Sequence, residues 1–236
     1  VNDGKSIMKY VLWSGGFDST YVVMRLLWEG HEVQPIYLSS IDTRRSETVE
    51  LNIMKSITDF VRDKYPEYGP RIKEFIKMKV EKNKEVDQKL VKLGGYGARL
   101  HLPMGTQQAM IAHFCSYYPH KLYYGTLIGD PRYRRRLVPS AYLRFLSYDA
   151  NNCGFVDEKK FKNEHDELCS VFKNLKFPII NLTKEEMLED SKNKKFDDVL
   201  YKTWSCWRPN RSKKPGRHCG RCSPCKQRII SAQPLI

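Results

Sequence analysis

Short apolar runs alternate with longer amphipathic stretches along this chain. Ile7 to Trp13, Val33 to Leu38, Glu74 to Val80, Lys121 to Thr126 and Phe177 to Asn181 read as strands. Between them, apolar positions recur at three- and four-residue steps. Ser19 to Trp28 predicts a helix with Tyr21, Val22, Met24, Leu26 and Leu27 turned to a core, ended by Gly30. Arg44 to Tyr65 predicts a longer helix on Val49, Ile53, Ile57, Phe60 and Val61, stopped by Pro66. Met104 to Tyr118 and Phe155 to Phe172 follow as helices. Another opens at Thr183, where Glu186 three residues on makes a capping-box pattern. Glu81 to Lys92 is highly charged, with only Val86, Leu90 and Leu93 as an apolar stripe, and reads as an exposed helix or loop. From Trp204 onward no period is evident. Alternating strands and helices at this spacing predict an α/β fold, a parallel sheet covered on both faces.

Charge narrows the partner. Lys and Arg number 41 against 27 Asp and Glu, a net +14, so the expected partner is anionic: a nucleotide, a nucleic acid or an acidic protein face. A hydrophobic content of 41% excludes wholesale disorder. No apolar run approaches the ~18 residues of a membrane span, and no N-terminal stretch has the pattern of a secretory leader. A soluble cytoplasmic chain with no membrane partner is expected.

The first strand–helix junction carries the sharpest local signal. Ser14-Gly15-Gly16-Phe17-Asp18-Ser19-Thr20 lies where free backbone N–H groups and the positive helix end meet an anion. Gly15 and Gly16 let the backbone approach phosphate oxygens, and Ser14, Ser19 and Thr20 add hydroxyl donors. Asp18 is unusual beside an anion and points to placing Mg²⁺ or holding the loop. The bland alternative is a strand-to-helix turn capped by a serine. Neither a Gly-Lys-Ser/Thr phosphate loop nor a Gly-x-Gly-x-x-Gly fingerprint is present.

Seven cysteines divide into scattered Cys115, Cys153 and Cys169, read as core thiols, and a C-terminal group. Cys206, Cys219, Cys222 and Cys225 have the spacing of four thiolates around tetrahedral Zn²⁺, with Gly220 allowing the tight turn. An iron–sulfur cluster is the competing occupant. A closed four-thiolate site is structural, so no catalysis is assigned to it.

The Ser14–Thr20 segment resembles the SGGxDS loop of the PP-loop pyrophosphatase superfamily. That resemblance implies a Rossmann-like parallel sheet of about five strands, with ATP across its carboxyl edge, and Mg²⁺. Thr203-Trp204-Ser205-Cys206-Trp207, then Cys219-Gly220-Arg221-Cys222-Ser223-Pro224-Cys225, resembles the zinc tail of 7-cyano-7-deazaguanine synthases. Phe177-Pro178-Ile179 with Thr183-Lys184-Glu185-Glu186 resembles the stretch before it. Arg44-Arg45-Ser46-Glu47 is a weaker likeness, and Leu102-Pro103-Met104-Gly105 stands where that family enters its helix beside the nucleotide. The resemblance spans nearly the whole chain. It implies residues 1–200 as a PP-loop ATP-binding domain and 201–236 as a zinc-binding tail packed on it.

Members of that family use ATP to adenylate the carboxylate of 7-carboxy-7-deazaguanine. Ammonia then displaces AMP, and a second ATP-dependent step dehydrates the amide to a nitrile. The resemblance implies ATP on Ser14, Gly15, Gly16, Asp18, Ser19 and Thr20, and catalytic roles for Asp18 and Lys184. Lys184 would contact phosphate or substrate; an exposed helix-start lysine is the alternative.

One segment departs from the pattern. After the fourth strand the synthases carry roughly Asp-x-Ser-Gly-Tyr-Pro-Asp-Cys-Arg, which holds the deazaguanine. Here Asp130 keeps the first acidic position, but Arg132, Arg134, Arg135 and Arg136 replace the rest. A guanidinium cannot accept hydrogen bonds from the N–H edge of a guanine-like base. Asp130, Arg132, Arg134 and Arg136 are therefore candidates for binding a different acceptor or a larger substrate. This keeps a second reading: joining the activated deazapurine carboxylate to a protein amine, as relatives in bacterial anti-phage systems are thought to do, with an acidic protein partner. A third is a zinc-stabilised nucleic-acid-binding or tRNA-modifying protein, served by basic and aromatic residues. A homodimer is the assembly allowed for. The charge is local. Positions 132–144 carry five basic residues and no acid, positions 208–228 eight and none.

Overall fold

The computed structural model describes residues 7–39, 46–92, 106–127, 145–206, 218–222, 225, 226 and 228. Two compact units emerge, Val1–Met78 with Thr183–Ile236, and Lys79–Leu182.

The first unit begins with β1 (Met8–Leu12), α1 (Phe17–Trp28) and β2 (Glu32–Ser39). β1 and β2 run parallel, with Met8 opposite Glu32 and Leu12 opposite Ile36. Parallel pairing demands a crossover, and α1 supplies it. That helix is buried round most of its circumference, from Phe17 and Tyr21 to Leu27. Gly30, at φ +91°, ends it as expected, its N–H meeting the Leu27 carbonyl. α2 (Glu47–Lys64) turns Met54, Ile57, Thr58 and Val61 inward. β3 (Ile76–Lys79) lies beside β2. The chain returns to this unit with two helices, here numbered α6 (Lys184–Asn193) and α7 (Asp197–Tyr201). The expected capping box at Thr183 is present: its side chain accepts the Glu186 N–H at 3.1 Å, and Glu186 accepts the Thr183 N–H at 2.7 Å.

The second unit holds α3 (Lys84–Lys92), α4 (Thr106–Tyr117), β4 (Leu122–Tyr124), β5 (Leu146–Tyr148), β6 (Gly154–Val156), α5 (Glu164–Glu167) and β7 (Leu175–Phe177). Its strand order is β4-β7-β6-β5. β4 and β7 are parallel, while β6 runs antiparallel to both β7 and β5. The α/β class therefore holds, and the sheet is mostly rather than wholly parallel. Cys115, Cys153 and Cys169 are buried thiols, as read.

Three expectations are corrected here. Residues 155–172 are not one helix but the end of β6, two 3₁₀ turns and α5. The strand placed at 177–181 is β7, which ends at Phe177 because Pro178 has no N–H to extend the ladder. The Glu81–Lys92 stretch is a helix whose stripe is not exposed: Val86 and Leu90 are buried.

Candidate functional site

Every described element of the site lies in the first unit. β1 gives way to the glycine loop at its carboxyl end, where Trp13 N–H still bonds the Ile36 carbonyl at 2.9 Å. Gly15 takes φ +68°, a conformation that strains any residue with a Cβ. A side chain there would also meet Ile53, Met54 and the Glu50 carbonyl at 3.2–3.4 Å. The α1 N-cap is Gly16 with no side-chain cap, so the serine-capped turn is not what forms. The helix start keeps N–H groups that an anion can take. Ser19 donates to the Gly16 carbonyl at 3.3 Å and accepts the Ser14 N–H at 3.5 Å. Thr20 is fully buried and accepts the Trp13 indole N–H at 2.9 Å. It braces the loop from behind.

Asp18 and Lys184, separated by most of the chain, meet at 2.9 Å. Lys184 also lies 5.1 Å above the Phe17 ring. The capping box fixes the start of α6 and so the origin of the Lys184 side chain. Hydrogen bonding by the Thr183 N–H holds the Glu186 carboxyl below its usual range. Thr183→Ala is expected to lower the melting temperature by about 2–4 °C. It should also weaken nucleotide turnover more than that shift explains. A melting curve and a turnover assay on one preparation check this, and unchanged turnover would remove the cap from the site.

The four tail cysteines converge, with all four Sγ atoms within 4.8 Å of one another. Cys222 lies 3.3 Å from Cys225 and 4.0 Å from Cys206, and Cys219 lies 3.9 Å from Cys225. Tetrahedral Zn–S bonds of about 2.3 Å require sulfurs about 3.8 Å apart, so the set fits. Backbone N–H groups of Cys219 and Cys222 point at the sulfurs of Cys206 and Cys219, at 3.3 and 3.4 Å. Such donors stabilise metal thiolates. Burial would raise the Cys219 thiol, but N–H donors from Arg221 and Cys222 outweigh it and bring it down to about 6. Burial, then the Cys222 thiol, pushes Cys225 up instead. Zinc held by these four residues would supply a rigid cross-link.

This element adjoins the loop. Trp204, Cys206, Cys222 and Cys225 form a buried cluster against Val49 and Ile53 of α2. Trp204 stacks on His218 at 4.3 Å, and its indole N–H bonds the Cys206 carbonyl at 3.0 Å. Its backbone N–H donates to the Gly15 carbonyl at 2.8 Å. His218 is thus a packing partner and an acceptor for the Ser205 N–H, at 3.3 Å. Arg228 was counted only as basic tail charge, yet it is 3% exposed. Burial, partly offset by Cys225, lowers its guanidinium to about 10. Its spacing from Cys225, one helical turn, was the available signal.

Also missed was Glu50, which accepts from Tyr37 and Ser46 hydroxyls at 2.8 Å beside the loop. Asp130, Arg132, Arg134 and Arg136 lie outside the described residues, as does Trp207. No helix among the described residues is long and apolar enough to cross a membrane.

No curated protein sequence matches the chain. A crystal structure described as a predicted subunit of a tRNA methyltransferase from Methanocaldococcus jannaschii aligns with a TM-score of 0.39 and 15% identity, covering 80% of this chain and 75% of that one. Residues 157–233, which include Lys184 and all four clustered cysteines, match the family model of queuosine biosynthesis protein QueC, the family that the two end motifs resemble.

Proposed function

We propose that the chain is an ATP-dependent carbon–nitrogen ligase that adenylates the carboxylate of a deazapurine, 7-carboxy-7-deazaguanine being the first candidate. The observation that carries this reading is the Asp18–Lys184 pair at the mouth of the glycine loop. It sets one carboxylate, suited to Mg²⁺, and one ammonium, suited to phosphate, beside free helix N–H groups. The QueC match over the segment that supplies Lys184 and the cysteines supports the same substrate class.

A free carboxylate is a poor electrophile. In the proposed reaction its oxygen attacks the α-phosphorus of ATP, and pyrophosphate leaves. Nitrogen of an amine then attacks the acyl carbon, loses a proton and expels AMP. The loop N–H groups and Lys184 offset charge on the phosphates while Asp18 holds the lysine in place. Ammonia is the first acceptor. The arginine-rich 132–136 segment favours a protein amine as the second.

The test is mass spectrometry of the protein with ATP, the carboxylate and ammonia, with pyrophosphate followed in parallel. An amide or nitrile, with pyrophosphate released only when carboxylate is present, is expected. An acyl adduct on a protein would assign the amine acceptor instead. No pyrophosphate with any deazapurine carboxylate would refute the ligase reading.

A further inference from the structure

The Thr203–Trp204 peptide group is gripped from both sides. Its N–H donates to the Gly15 carbonyl at 2.8 Å. Its carbonyl accepts from Arg228 Nη1 at 2.7 Å, and the same nitrogen reaches Thr203 Oγ1 at 3.0 Å. Arg228 Nη2 extends to the Tyr201 carbonyl at 3.4 Å. In a planar trans peptide the C=O and N–H point in opposite directions, so fixing one fixes the other. The Thr203 hydroxyl adds a bond to the Leu200 carbonyl at 2.6 Å, which ties the same point to the end of α7. The Trp204 carbonyl in turn lies 3.4 Å from where a Cβ on Gly16 would stand. One residue's backbone therefore touches both loop glycines.

We propose that Arg228 is a positioning residue for the nucleotide loop. It orients the Thr203–Trp204 peptide so that its N–H holds the Gly15 carbonyl back, leaving the loop N–H groups turned toward the phosphates. This inference rests on the nucleotide reading above for its consequence, but not for its geometry. The guanidinium suits the task because its fixed fork spans two carbonyls and a hydroxyl at once, which a single ammonium cannot do as well. A buried arginine bound mainly to backbone is costly to keep unless it orders that backbone.

The experiment uses Arg228→Met and Arg228→Lys in the full chain, with three readings: zinc per chain, deuterium uptake at Trp204 and residues 14–20, and ATP affinity. R228M is expected to keep its zinc, to exchange the Trp204 and loop amides faster, and to bind ATP about tenfold or more weakly. R228K should recover part of both losses. Zinc lost together with loop protection would make Arg228 a metal-site or folding residue and overturn the proposal. So would zinc retained with unchanged exchange. Faster exchange in R228M with no ATP binding by the parent would leave the clamp standing and refute the nucleotide reading. If R228M does not fold, Arg228→Gln carries the same readings, and failure of all three variants to fold overturns the positioning role.

Discussion

Replacing Lys184 with methionine is expected to lower pyrophosphate release about a hundredfold or more, the usual loss when one preorganised donor to a developing charge is removed. Stability should hardly change. The pair is partly exposed, 24% for Lys184 and 32% for Asp18, and an ion pair in that setting contributes only about 0–1 kcal/mol. A structural pair would show the reverse, a lower melting temperature with turnover kept in the folded fraction. Asp18→Asn separates the two partners. It keeps a hydrogen-bond acceptor for Lys184 but removes the charge, so it should spare nucleotide affinity more than turnover. Measured turnover of K184M within about threefold of the parent, at saturating ATP, would take Lys184 out of the site.

How far this site could be read beforehand differs residue by residue. The loop was legible because glycines, hydroxyls and an acid follow an apolar strand. The four cysteines were legible because Zn²⁺ restricts ligand type and spacing. The capping box at Thr183 was legible because it is local. What joins these parts was not. The Trp204 N–H on the Gly15 carbonyl is a backbone contact, and any residue but proline could make it. Arg228 carried a positive charge in a basic tail, where a solvated face is the ordinary outcome; burial reversed that.

The largest error in the fold has a similar cause. The β5–β6 hairpin is only three residues long on each strand, too short for a two-residue period to show. Its turn signal was nonetheless present. Asp149 accepts the N–H groups of Asn151 and Cys153 through its side chain, and Asn152 takes φ 56°. Reading Phe155 to Phe172 as one helical stripe merged a strand with residues of a later helical turn. In α3, a thin stripe of Val86 and Leu90 sufficed for burial because only two positions face α4 and its neighbours.

Cys225→Ser should have the greatest effect on the protein as a whole. Cys225 is fully buried, and its sulfur is within 4 Å of those of Cys219 and Cys222. Structural zinc contributes about 10–16 kcal/mol of apparent binding energy in small zinc-finger peptides, and losing one ligand forfeits much of it. Zinc per chain is expected to fall from about one to near zero, and the melting temperature by more than about 10 °C. Nucleotide binding should vanish with it, because the cluster packs on Val49 and Ile53 of α2 and positions the Trp204 N–H that holds Gly15. Chelating zinc from the parent should reproduce all three losses, and restoring it should reverse them. Visible absorbance and bound iron in the parent would overturn the zinc assignment. Full ATP binding by zinc-free protein would instead separate the tail from the loop. The Arg228 and Cys225 variants then form an ordered pair: the first is expected to keep the metal and lose the loop, the second to lose both. That ordering follows only if the cysteine element acts on nucleotide binding through the Thr203–Trp204 peptide.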